Sequence, residues 1–151
     1  MRRLVASWFG SGLLLRRLRG SDAGSGTVGS AVTMALALAL APLGWPVQLA
    51  AALAVAVLSV WAAAPFAENG SDPGWVVVDE AAGTLVATVG LASVPALVAW
   101  AVFRIADIDK RRFPGVVAAE AMPGGWGVTA DDLVAGLYGL AAGWITQALL
   151  T

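Results

Sequence analysis

Three pairs of carboxylates carry the chemistry open to this sequence: Asp79 with Glu80 in "VVVDEAAG", Asp107 with Asp109 in "FRIADIDK", and Asp131 with Asp132 in "TADDLVAG". Carboxylate oxygens are hard donors, the ligands that Mg²⁺ or a similar ion prefers in octahedral geometry, commonly shared with a phosphate. The chain has no histidine and no cysteine. Those absences exclude imidazole and thiolate as metal ligand, general base, nucleophile or phospho-carrier, and with them catalytic triads and histidine-based lipid phosphatases. A plainer reading competes at any one pair. Acidic residues at a helix N-terminus often serve only as dipole partners, worth about 0.3 to 1 kcal/mol, and Thr129 with Asp132 has capping-box spacing. Three pairs on one face outweigh that reading, because like charges gathered near a low-dielectric boundary repel unless a cation neutralises them.

Basic residues accompany the second pair. On a helix Arg104 lies one turn from Asp107, and Asp107 one turn from Lys110 and Arg111, so these groups share a face. They are either local ion pairs at a helix end, or Asp107 is a metal ligand while Arg104 or Lys110 binds phosphate. Glycine-rich segments recur nearby: "FGSG" at Phe9, "GSGTVGS" at Gly24 and "PGGWG" at Pro123. Glycine lets backbone amides approach a phosphate, and a following helix adds a positive dipole end. Gly26, Thr27, Gly124 and Gly125 are the candidate amide donors. "GSGTVGS" is not a P-loop, since it lacks the lysine. Alternatively the glycines serve packing, with Gly29, Ala31 and Ala35 permitting close helix contact.

The elements that must position these groups are membrane helices. The chain has 151 residues, 59% hydrophobic and 13% charged, with seven tryptophans, and a mean hydropathy of +0.80. That is too apolar for an ordinary soluble domain and reads as one polytopic membrane domain over residues 1–151. A cleaved signal peptide fits poorly, because five arginines precede the first apolar run. Apolar runs and breakers give about five helices in an all-α bundle: Thr27–Leu43, Pro46–Ala64, Glu80–Ala92, Pro95 to about Asp109, and Asp131–Leu150. Three approach the roughly 20 residues needed to cross a bilayer core. The third and fourth are too short alone and form a half-spanning hairpin turning near Pro95. With the hairpin, all nine basic and all ten acidic residues fall on one face, which the positive-inside tendency makes cytoplasmic.

In order along the chain, FGSG, GT-x-GS, DE-x-x-G, FR-x-x-D-x-x-K, GG-x-G and DD-x-x-A-G resemble the motifs of the phosphatidylglycerophosphatase A family, bacterial membrane phosphatases of phosphatidylglycerol synthesis. Here they are Phe9–Gly12, Gly26–Ser30, "DEAAG" at Asp79, "FRIADIDK" at Phe103, "GGWG" at Gly124 and "DDLVAG" at Asp131. The resemblance covers nearly the whole chain. It implies Mg²⁺-dependent hydrolysis of phosphatidylglycerophosphate to phosphatidylglycerol and phosphate at the cytoplasmic face of the bacterial inner membrane. The chain departs from the family pattern in its loops: Ser25 precedes Gly26, "KRRFPG" follows the lysine position, and Pro123 precedes the glycine pair. The carboxylates are intact.

On this reading Asp79, Glu80, Asp107, Asp131 and Asp132 hold one or two Mg²⁺ ions and carry the catalysis. Arg104, Lys110 and the glycine amides bind the phosphate. The partners are a phospholipid substrate and the membrane, with no nucleic acid, and nothing in the sequence sets an oligomeric state. Two other classes stand beside it: a cation carrier, which should place acidic residues at mid-membrane depth where this chain has none, and a non-catalytic scaffold or altered-specificity phosphatase of phospholipid synthesis.

Overall fold

Long runs of alanine, leucine and valine give this chain its helices, and breaker residues set their ends. The computed structural model describes residues 1–67 and 73–151. Glu68 and Asp72, counted above on the charged face, lie outside the described residues. Eight α-helices are present among the described residues: α1 (Arg2–Ala6), α2 (Leu14–Arg19), α3 (Ser25–Leu40), α4 (Trp45–Ala63), α5 (Val78–Ala87), α6 (Ser93–Ile108), α7 (Val116–Glu120) and α8 (Gly125–Leu150). Those residues contain no strand. Ser25–Leu43, Trp45–Phe66 and Gly125–Leu150 are long and apolar enough to cross a membrane.

All five expected helices form with shifted bounds, the third ending at Ala87 rather than Ala92, and α1, α2 and α7 are added. Proline is tolerated in a first helical turn, so α6 begins at Ser93 with Pro95 inside its first turn rather than at the bend. The bend lies instead at 88–92, where Gly90 takes φ +73°. At the N-terminus of α8 the glycines of "GGWG" would be expected to delay the helix. Burial overrides that: Gly125 and Gly127 are buried, and a Cβ on Gly125 would strike the Val60 carbonyl of α4.

The short α5 is the centre of the molecule and packs against α3, α4, α6 and α8. The Trp75–Val77 segment leading into it is buried, and the Val77 amide donates to the Ala6 carbonyl at 2.9 Å. Small residues set the spacing, as is usual where membrane helices approach closely. A Cβ on Gly136 of α8 would lie 2.7 Å from the Gly83 carbonyl, and one on Gly139 would lie 2.5 Å from the Ala99 carbonyl. Of Gly29, Ala31 and Ala35 on α3, Gly29 plays this part, against Val77; Ala31 and Ala35 face outward. Outward too go Val32, Leu36, Leu53, Val57, Leu137, Ile145 and Leu149, an apolar surface suited to lipid.

Each end of the bundle is tied by polar contacts. At one, Gln48 Oε1 accepts the Gly90 amide at 2.5 Å, Gln147 Oε1 accepts the Ala92 amide at 2.7 Å, and Gln147 Nε2 donates to the Gly90 carbonyl at 3.2 Å. These fix the α5–α6 turn between the start of α4 and the end of α8. At the other, the hydroxyls of Ser59 and Thr129 pair at 2.7 Å, joining the end of α4 to the start of α8. Thr129 therefore sits inside the helix and is no cap, and α8 has no side-chain N-cap bond.

Candidate active site

Alternation of helix direction brings the start of α5, the end of α6 and the second turn of α8 to the same end. Asp79 and Glu80 fall in the first turn of α5. Arg104 and Asp107 close α6, Lys110 lies just beyond it, and Asp131 and Asp132 lie inside α8 because that helix starts at Gly125. One oxygen from each of Asp79, Glu80 and Asp132 lies within 4.8 Å of the others, a grouping that could hold a metal ion. Asp132 is 2% exposed, Asp131 5% and Asp79 6%. Buried carboxylates are rare unless paired or liganded, yet Asp132 Oδ1 has no hydrogen-bond partner among the described residues.

These groups border a cavity of about 110 Å³, whose wall also includes Asp107, Lys110, Glu120 and Gly127. Two cations sit among the acids. Arg104 Nη1 lies 2.6 Å from Asp107 Oδ2 and 4.0 Å from Glu80 Oε1. Lys110 Nζ donates to Asp131 Oδ2 at 2.6 Å and to Glu120 Oε1 at 2.8 Å. Burial works against the Lys110 charge, but the hydrogen bonds to Asp131 and Glu120 and their negative charges outweigh it and raise the pKa above the ordinary lysine value. The ammonium is therefore charged at any physiological pH.

The glycine positions divide. At Gly26 a Cβ would collide with the Glu80 carboxylate and lie 3.1 Å from Arg104 Nη2, so the start of α3 lies directly on that pair. Thr27 beside it is exposed, as is Gly124, while Gly125 is buried against α4. Gly12 of "FGSG" meets the Trp75 carbonyl and serves packing. Asp109 leaves the cluster and pairs with Arg112 at 2.8 Å. Sequence reasoning passed over Glu120 and Gly127. Glu120 stands alone among apolar and small residues, and Gly127 was read only as part of a glycine run.

A family model described as phosphatidylglycerophosphatase A matches residues 4–147. The chain belongs to the phosphatidylglycerophosphatase A family. No curated protein and no solved structure matches it. Membership of the phosphatidylglycerophosphatase A family makes the chain a phosphoric monoester hydrolase and implies phosphatidylglycerophosphatase activity. Its three long apolar helices fit a membrane enzyme with a phospholipid substrate.

Proposed function

We propose that the chain hydrolyses phosphatidylglycerophosphate to phosphatidylglycerol and inorganic phosphate, with Mg²⁺, at the cytoplasmic face of the bacterial inner membrane. One observation supports this above the others: two buried carboxylates, Asp79 and Asp132, and the partly buried Glu80 converge from α5 and α8 on a polar cavity, and Asp132 has an oxygen that nothing in the described chain satisfies. An all-oxygen donor set of this kind suits Mg²⁺. When bound, the ion would supply charge neutralisation on the phosphoryl oxygens and a more acidic water.

The rest falls to the chain's own residues. Asp79, Glu80 and Asp132 hold the ion. Arg104, oriented by Asp107, and Lys110, held by Asp131, draw the phosphomonoester into the cavity, and arginine's planar fork fits two of its oxygens. Amides at Gly26 and Thr27, at the start of α3, are the candidate donors beside the Glu80–Arg104 pair, while Gly125 is turned to α4. With no imidazole in the chain, the proton of the attacking water passes to a carboxylate lining the cavity. The acyl chains stay among the outward apolar side chains, and the positive residues gathered at this end support a cytoplasmic orientation.

The test is phosphate release from phosphatidylglycerophosphate by purified protein. Chelation should abolish turnover and Mg²⁺ should restore it. Full activity after exhaustive chelation would remove the metal from the reaction. No phosphate release under either condition would favour the scaffold.

A further inference from the structure

Apart from Asp107, which pairs with Arg104 at 2.6 Å, the acids of the cavity form two groups with different partners. Asp79, Glu80 and Asp132 approach one another closely enough for a metal, and Asp132 Oδ1 lies buried without a hydrogen-bond partner among the described residues. Asp131 and Glu120 instead both accept from one ammonium, at 2.6 and 2.8 Å. Among the described residues no second group of three carboxylates converges in the same way.

We infer that Lys110 is a built-in second cation of this active site, held in place by Asp131 and Glu120, so that a single divalent ion completes the site and Glu120 acts as a positioning residue. The inference rests on the metal-dependent phosphatase reading above. Two-metal phosphatases clamp the transferring group between two ions about 3.5–4 Å apart. Here the remaining carboxylates of the cavity already face fixed cations: Asp131 and Glu120 face Lys110 Nζ, and Asp107 faces Arg104. An ammonium has three donors. Asp131 and Glu120 take two, and the third is left for a phosphate oxygen.

The two holders differ in kind. Asp131 is buried within the long α8, so its carboxylate is fixed by packing. Glu120 ends the short α7, and its side chain is 39% exposed at the rim of the cavity. Lysine's stem is flexible, and its head is a point charge without a preferred geometry. With Asp131 alone the ammonium could swing about one anchor, and Glu120 defines the second point that keeps Nζ facing the cavity.

Mn²⁺ binding to the purified full chain, counted by calorimetry and by the free-ion electron paramagnetic signal, decides between the possibilities. One ion per chain is expected. Two ions per chain would overturn the inference while leaving the metal-dependent phosphatase intact, and no binding would remove both. In Glu120→Gln the count and affinity for Mn²⁺ should stay as in the parent, while KM for the lipid rises about tenfold and kcat changes less than about threefold, on the scale of one lost charged hydrogen bond. Glu120→Asp should recover part of the loss in KM. A weakened Mn²⁺ affinity in Glu120→Gln, or an unchanged KM, would contradict the positioning role.

Discussion

The two ends of the helical bundle bury polar side chains for opposite purposes. At the end holding the α5–α6 turn, Gln48 and Gln147 reach backbone groups of Gly90 and Ala92, and the amides satisfy a turn that would otherwise leave peptide groups bare. At the other end, Asp79, Asp131 and Asp132 are buried, more deeply than the half-buried Gln147, but they gather negative charge and leave Asp132 Oδ1 with no hydrogen bond among the described residues. Buried polar groups in folded proteins are almost always satisfied. The satisfied end is structural, and the end that departs from the rule is the one proposed above to bind a metal ion. Between them runs the glycine seam of Gly83, Gly136 and Gly139, which fixes the distance between α5, α6 and α8.

If that contrast is right, substitutions at the two ends should separate activity from stability. The largest effect is expected at Asp79→Asn, which preserves shape and much of any capping ability but removes a metal-binding charge. Phosphate release should fall by about a hundredfold or more, with stability changing by no more than about 1 kcal/mol. Steady-state turnover at saturating Mg²⁺ and thermal unfolding, measured on the same preparation, check both halves. Gln147→Leu should do the reverse. Losing its two bonds to the turn should cost about 1–3 kcal/mol of stability, visible as a lower unfolding midpoint, while kcat of the folded fraction stays near the parent's. The smallest effect is expected at Arg112→Gln. Its pair with Asp109 is solvent-exposed, at 81% and 44%, so stability should change by less than about 0.5 kcal/mol and turnover should stay level. A large loss there would show that the charged end extends beyond the cavity described.

The charged half of this contrast is legible in the sequence, for identifiable reasons. The charged end showed because its residues come in local clusters: Asp79 with Glu80, Asp131 with Asp132, and Arg104 with Asp107 and Lys110 at helical spacing. The structure brings all but Arg104 to the wall of one cavity, and Arg104 joins them through its pair with Asp107. The partner of each group was harder to read, because pairing is long-range. Glu120 reaches Lys110 across ten residues, Lys110 reaches Asp131 across twenty-one, and Ser59 meets Thr129 across seventy. No local pattern signals such contacts. The helix starts were misplaced where intrinsic propensity argued one way and packing the other: glycines at 125 and 127 pointed to a loop, and burial against α4 made them helical. The satisfied end was invisible, since an isolated glutamine in an apolar run gives no hint of the backbone group it caps.

The most direct test of the central claim is the affinity for Mn²⁺ of Asp132→Asn, measured by calorimetry beside the parent and Gln147→Leu. The carboxylate with the unsatisfied oxygen should matter for metal, and the amide at the satisfied end should not. The account predicts binding at least about tenfold weaker in Asp132→Asn, a loss of about 1.4 kcal/mol or more, with Gln147→Leu matching the parent. A folded Asp132→Asn protein that binds Mn²⁺ as tightly as the parent would contradict it.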